Sequence, residues 1–259
     1  MVHFVGAGPG ASDLITVRGD RLLREADVVI YAGSLVNPEL LKGCRTDCAV
    51  YDSAYMTLEE VLEVIRDAER RGEMTVRLHT GDPSIYGAIW EQMDALDRMG
   101  IAYDVCPGVS SFCGAAAALN LEYTLPEVSQ SVIITRMEGR TKVPEKESIQ
   151  SFAAHQATMV LFLSTGLLEE LSGELIVGGY KEDTPAAIVY KASWPEEAVY
   201  RCTVGTLAAT AREKGVARTA LIIVGRGLDT GKDSGYERSR LYAPEFDTMF
   251  RNGSGKEGK

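Results

Sequence analysis

Apolar and polar positions alternate along this chain with two periods. Residues 2–7 form a short apolar run closed by glycines, the pattern of a strand buried on both faces. Residues 14–26 carry helical spacing, and the apolar run 28–31 is again a strand. Leu58, Val61, Leu62, Ile65 and Ala68 fall at i, i+3, i+4, i+7 and so line one face of a helix over 57–71, with Thr57 as N-cap and Glu60 at the capping-box position. A strand at 74–78, a helix at 85–99 and a strand at 103–106 follow. This alternation predicts a mostly parallel sheet with helices on its faces.

The rhythm changes near 115–126. A helix of small residues, 111–119, runs into Asn120-Leu121-Glu122-Tyr123-Thr124-Leu125-Pro126, a crossover. A second set then begins, with strands at 131–136, 157–163, 186–191, 199–204 and 220–224 and helices at 147–155, 167–177 and 207–214. The strands 186–191 and 199–204 are close enough in sequence to pair antiparallel. The fold class is therefore α/β, with two α/β domains, 1–118 and 125–228. A polar, Gly-rich tail, 229–259, has an end expected to be disordered.

Three glycine turns punctuate the first half: Gly6-Ala7-Gly8-Pro9-Gly10-Ala11, His79-Thr80-Gly81-Asp82-Pro83-Ser84 and Pro107-Gly108-Val109-Ser110-Ser111. Each follows a strand, so the three leave the carboxyl ends of parallel strands, where open α/β sheets build ligand sites. Asp82, Ser110 and Ser111 offer polar groups to an alcohol or amine. Asp82 serves equally well as the N-cap of a helix at Ile85. The first turn fits the dinucleotide pattern G-x-G-x-x-G/A, which suggests a nicotinamide-binding oxidoreductase. Pro9 nevertheless lacks an N–H, and the second strand ends in Tyr31-Ala32-Gly33 where an acidic ribose ligand is needed.

Composition narrows the partners. Among 259 residues, 27 Lys and Arg stand against 37 Asp and Glu, a formal charge of −10, which argues against a nucleic acid backbone as ligand. Cys44, Cys48, Cys106, Cys113 and Cys202 are odd in number and irregularly spaced, so they read as structural thiols, with neither a disulfide framework nor a metal cluster. The start of the chain has no basic segment followed by an apolar run, and no uncharged apolar stretch reaches the ~18 residues of a membrane span. A soluble cytoplasmic protein is the expectation.

Taken in order, the stretches VGAGPGASDLIT at 5–16, TGDPSIYG at 80–87, PGVSS at 107–111, TPAAIV at 184–189 and ALIIVG at 220–225 resemble the tetrapyrrole methyltransferases, which use S-adenosylmethionine. YAGSLVN at 31–37 and KASWPEEAV at 191–199 look like the members that methylate C11 of precorrin-4 or cobalt-precorrin-4 on the route to cobalamin. The resemblance implies a homodimer of two-domain chains with cofactor and substrate in a cleft between the domains. It places S-adenosylmethionine at Pro9, Gly81, Asp82, Ile85, Ser110, Ser111, Leu163, Ala187, Ala192, Thr219 and Ala220. Ala32 stands where the uroporphyrinogen enzymes carry Asp, and Tyr51-Asp52-Ser53 where they carry Lys, so those charged roles do not transfer. Leu163 replaces a more usual Met.

A substrate with many carboxylates calls for Arg and Lys; Arg18, Arg136 and Lys191 are the candidates. Tyr31, Tyr55 and Tyr86 could pack on the macrocycle, and His79 could face the site, although each of these also has an ordinary structural reading. The methyl donor carries the hard chemistry, so the protein mainly holds two reactants in line, and no catalytic nucleophile or protein metal is required. The remaining rivals are methylation at another precorrin or uroporphyrinogen position and a non-catalytic tetrapyrrole-binding protein. A locally basic cleft in an acidic chain is expected.

Overall fold

The computed structural model describes residues 1–229 and 239–253. The chain divides into two compact units. The first comprises Met1–Asn120 with Val189–Tyr200 and Val216–Leu221; the second takes Leu121–Ile188, Arg201–Gly215 and the chain from Ile222 onward. Two segments inside the stretch 125–228 thus group with the first unit.

The first unit is built on five strands, β1 (Val2–Gly6), β2 (Val28–Tyr31), β3 (Ala49–Asp52), β4 (Thr75–His79) and β5 (Tyr103–Cys106), in the order β3-β2-β4-β1-β5. Every neighbouring pair is parallel, so all five carboxyl ends lie along one edge. The helices are α1 (Val17–Glu25), α2 (Leu58–Arg70), α3 (Trp90–Met99) and α4 (Ser111–Leu119). Side chains alternate across the sheet. Val5, Val29, Val76 and Leu78 pack with Leu22 and Leu23 of α1 on one face. Phe4, Val28 and Ile30 pack with Val61 and Ile65 of α2 and Leu96 of α3 on the other. The capping box of α2 forms as expected, with Thr57 N donating to Glu60 Oε2 at 2.7 Å and Glu60 N to Thr57 Oγ1 at 3.2 Å.

Several expectations are corrected. β3 is absent from the sequence pattern, because its Val50 and Tyr51 are both exposed and its sequence lacks a clean alternation; pairing with β2 creates it. The helix expected over 85–99 starts only at Trp90, because Pro83–Tyr86 forms a turn and Tyr86 and Ala88 adopt left-handed φ of 56° and 49°. The helix expected over 14–26 splits into a 3-10 turn, Ser12–Leu14, and α1, whose first turn is closed by Gly19 N donating to Thr16 Oγ1 at 3.1 Å. The helix over 147–155 shrinks to α5 (Ile149–Ala153), capped by Ser148.

A second five-stranded sheet contains β6 (Val132–Arg136), β7 (Thr158–Phe162), β8 (Pro185–Tyr190), β9 (Ala198–Thr203) and β10 (Ala220–Val224), in the order β6-β7-β10-β8-β9. β6 and β7 run parallel, and β7 and β10 antiparallel. α6 (Leu168–Val177) and α7 (Leu207–Lys214) complete this set, and Met159, Leu161, Leu171, Leu175 and Leu207 are fully buried. The expected disordered end of the tail, like 230–238, lies outside the described residues. Residues 239–253 are less polar on their surface than their sequence position suggests: Tyr242, Met249 and Phe250 are exposed, and Arg251 Nη2 donates to Leu241 O at 3.0 Å and Ala243 O at 2.8 Å. Among the described residues, no helix is long and apolar enough to cross a membrane.

Candidate active site

The carboxyl-end turns of β1, β4 and β5 meet backbone to backbone. The register Gly6↔His79 and Val5↔Cys106 sets them side by side. Gly8 N donates to Gly81 O at 3.3 Å, and Gly81 N to Gly8 O at 2.9 Å. A Cβ on Gly6 would lie 2.5 Å from Gly108 Cα and 2.5 Å from Gly81 O; one on Gly108 would lie 2.1 Å from Gly81 O. Only glycine permits this junction. Gly81 itself has φ +62°, and a Cβ there would sit 3.3 Å from Ser111 N, so this turn lies against the N-terminus of α4.

Asp82 braces the junction. Its Oδ2 accepts from Gly108 N at 2.8 Å, and its Oδ1 accepts from Ser84 N at 2.9 Å and from the Ser84 hydroxyl. Burial pushes the carboxyl up, but these three donors outweigh it and hold it below its ordinary value. Asp82 caps no helix; it closes a local turn and ties that turn to the next. Ser110 occupies the N-cap position of α4 without a side-chain capping bond, and Ser111 is the first helical residue. Ile85 is half-buried in the turn after Asp82.

The first turn is enclosed by the segment after β8. Trp194 Nε1 donates to Pro9 O at 3.2 Å, and Ala11 N donates to Ser193 Oγ at 3.0 Å. A Cβ on Gly10 would lie 2.2 Å from Trp194 Cδ1. A Cβ on Gly114 would lie 2.9 Å from the Pro9 ring and 3.5 Å from Ala192 Cβ. Pro9 and Ala192 are therefore brought together, and Lys191 N donates to Thr219 O at 3.0 Å, which adds the Thr219–Ala220 entry to β10. Lys191, Ser193 and Thr219 have φ of 46°, 64° and 57°, a concentration of strained backbone typical of binding sites. These contacts also answer the dinucleotide rival. The amides of Gly8 and Ala11 are already bonded, Pro9 has none, and only the three-residue 3-10 turn Ser12–Leu14 follows directly, α1 beginning at Val17, so the turn does not open an α-helix whose N-terminus could receive a pyrophosphate.

The other candidates of the first unit are scattered in character. Tyr31 is half-buried and donates to Asp52 Oδ2 at 3.1 Å; burial, then this bond, raises its phenol. Tyr55 and Tyr86 are exposed. Arg18 is exposed in α1 and makes no ion pair among the described residues. Lys191 Nζ pairs with Glu196 Oε2 at 3.5 Å and lies 5.7 and 5.5 Å from the centroids of the Tyr190 and Trp194 rings. In the second unit, Leu163 follows β7 with φ 53° and a side chain 69% exposed, an unusual and costly state for leucine. Ala187 is fully buried in β8 and can offer only its backbone. Arg136 spends its guanidinium on Met137 O, Thr141 O and Lys142 O at 3.1, 3.2 and 2.8 Å, which makes it a loop fastener.

His79 is 3% exposed, and its ring stands 6.0 Å from that of Phe4. Its Nε2 and the Thr80 Oγ1 are buried polar atoms without a hydrogen bond, on consecutive residues at the end of β4. Burial, aided by the Arg77 charge, lowers its pKa to about 3, so it is neutral at physiological pH and far too weak a base to take a proton there. Because the folded pKa lies below the ordinary 6.5, the unfolded chain binds the extra proton. The resulting stability is complete above about pH 6.5 and drains away as pH falls toward 3. Urea midpoints of His79→Leu are therefore expected to fall less steeply than wild type between pH 6.5 and 4.5; identical slopes would refute the assignment.

Sequence reasoning missed Arg77, also buried in β4; a lone Arg in an apolar strand was the available signal. Among the described residues no cluster of three His, Cys, Asp or Glu could hold a metal.

The profile of the tetrapyrrole (corrin/porphyrin) methylases matches residues 1–208. A cobalt-precorrin-4 C(11)-methyltransferase of Methanocaldococcus jannaschii is 50% identical over 250 residues, 96% of this chain and 95% of that protein. The X-ray structure of a cobalamin biosynthetic enzyme, cobalt precorrin-4 methyltransferase, superposes with TM-score 0.86 at 47% identity, covering 88% of this chain and 95% of that one. A uroporphyrin-III C-methyl transferase from Thermus thermophilus, solved with S-adenosyl homocysteine, follows with TM-score 0.72 at 28% identity, covering 88% and 93%. With its glycine-closed junction intact and a match that runs through all three turns, this chain belongs to the tetrapyrrole methylase family.

Proposed function

We propose that this chain, as a cytoplasmic homodimer, transfers a methyl group from S-adenosylmethionine to C11 of cobalt-precorrin-4 in cobalamin biosynthesis. The observation that carries the reading is identity at 50% across 250 residues to a C11 enzyme, a span that includes both the turns and the KASWPEEAV segment. The cofactor assignment is supported by the junction itself. Gly81 keeps a side chain out of the space beside Ser111 N, and the two residues before it, His79 and Thr80, each carry a buried polar atom without a hydrogen bond. Such a backbone-lined cradle fits a nucleoside bearing an amino acid.

When bound, S-adenosylmethionine supplies a methyl on a positively charged sulfur, already activated for displacement. The chain's task is placement, worth up to about 7–11 kcal/mol in well-oriented systems. Pro9, Gly81, Asp82, Ile85, Ser110, Ser111, Leu163, Ala187, Ala192, Thr219 and Ala220 are the residues assigned to the cofactor. Lys191 and Arg18 meet substrate carboxylates, and Tyr31, Tyr55 and Tyr86 meet the macrocycle. His79 is too weak a base to take up a proton at physiological pH, and the residues orient the reactants and exclude water.

The test incubates the chain with methyl-labelled S-adenosylmethionine and enzymatically made cobalt-precorrin-4, with metal-free precorrin-4 as a second arm. Label at C11 of the cobalt substrate is expected. Label only in the metal-free arm would correct the substrate, and no label at C11 in either would overturn the reading.

A further inference from the structure

Arg77 lies in the middle of β4, 7% exposed, on the face covered by α2 and α3. Among the described residues its guanidinium makes no ion pair. It donates instead to three neutral acceptors on three elements: Nε to Gln92 Oε1 in α3, Nη1 to Ile30 O near the end of β2, and Nη2 to Ser53 Oγ after β3, each at 3.0 Å. A buried charge without a counterion is a costly way to fill a core, and an apolar residue of similar size would serve packing better. What Arg adds is a rigid planar fork that points in three directions at once.

Each acceptor passes the restraint on. Gln92 Nε2 donates to Ala88 O at 2.9 Å, which fixes the left-handed residue just before α3. Ser53 Oγ donates to Tyr31 O at 3.0 Å, which fixes the turn Ser53–Tyr55. One cation thus ties the loop after β4 to the turn after β3. Those two loops carry Tyr86, 46% exposed, and Tyr55, 88% exposed. The glycine junction has separate braces, Asp82 to Gly108 and Gly8 to Gly81.

We propose that Arg77 is a positioning residue for the tetrapyrrole: through Gln92 and Ser53 it sets the loops bearing Tyr86 and Tyr55, and so the fit of the macrocycle, while cofactor binding rests on the other braces. This inference rests on the assignment of both tyrosines to the substrate site.

The test uses Ser53→Ala and Gln92→Leu, which each cut one arm, together with Arg77→Met and Arg77→Lys. Losing one arm, with its two hydrogen bonds, is expected to raise KM for cobalt-precorrin-4 by about tenfold, with kcat changed less than about threefold and the calorimetric affinity for S-adenosylhomocysteine within about twofold. Chymotryptic nicking is expected to accelerate at Tyr55 in Ser53→Ala, at Tyr86 in Gln92→Leu and at both in Arg77→Met, with partial rescue in Arg77→Lys. Parallel losses of cofactor affinity, macrocycle affinity and melting temperature would reduce Arg77 to a structural residue and overturn the proposal. So would an unchanged KM. If the wild-type chain methylates neither substrate, the functional reading falls and takes the macrocycle role with it. The nicking pattern still decides whether the clamp itself exists.

Discussion

Gly108→Ala is expected to cost about 3 kcal/mol or more, the upper end for overpacking a site that cannot yield. The added methyl would stand 2.1 Å from Gly81 O and 2.7 Å from Gly6 Cα. Both neighbours are backbone, anchored in β4 and β1, so no side chain can swing away. Relief requires the three turns to part, and the cradle opens with them. For a chain of this size the expected fall in melting temperature is about 10 °C, accompanied by loss of S-adenosylhomocysteine binding in calorimetry. Gly72→Ala is the control. Gly72 has φ +72°, and a methyl added there would meet nothing within 4 Å. Only the left-handed backbone penalty of about 1–2 kcal/mol applies, and cofactor affinity should not change. Equal behaviour of the two variants would mean that the turns are not in contact as described.

Asp82→Ala is expected to lose about 1–2 kcal/mol, the cost of removing a charged acceptor from one partly buried and two exposed donors, and to weaken S-adenosylhomocysteine binding as the Gly81 and Gly108 turns separate. Asp82→Asn should rescue little. Whichever way the amide is turned, its NH2 faces either Gly108 N–H or Ser84 N–H, both donors. The pH dependence follows from the lowered carboxyl. Stability from this group is present above the ordinary value of 3.8 and is lost as pH falls through the lower folded value. Acid unfolding of Asp82→Asn should therefore be less steep below about pH 4 than that of the wild type. A variant that lost cofactor affinity with unchanged stability would leave Asp82 its contact with the cofactor and remove its role as a brace.

The two roles of arginine separate what local sequence can and cannot say. Arg136 reads as a substrate cation because it ends a strand, yet its guanidinium is consumed by three loop carbonyls. Arg77 stands out as a charge in an apolar strand, but nothing local shows that it fastens three elements. Charge type is visible in a sequence; which acceptors a long flexible side chain meets is a matter of three-dimensional neighbours. The same limit explains Asp82. Its turn chemistry with Ser84 is local and foreseeable, whereas its bond to Gly108, 26 positions away, depends on β4 and β5 flanking β1.

Reading the residues alone suffices for the alternation of strands and helices, the α2 capping box and the three glycine turns, because hydrophobic periodicity and glycine punctuation are local consequences of backbone geometry. The family also follows from the order of those turns. The rest came from contacts between distant segments. Pairing with β2 made β3 a strand, and left-handed Tyr86 and Ala88 delayed α3 to Trp90. Folding also brought Trp194 onto the first turn from 185 residues away. Such contacts are set by strand order and packing, whose information is spread over the whole chain and appears in no single window of it.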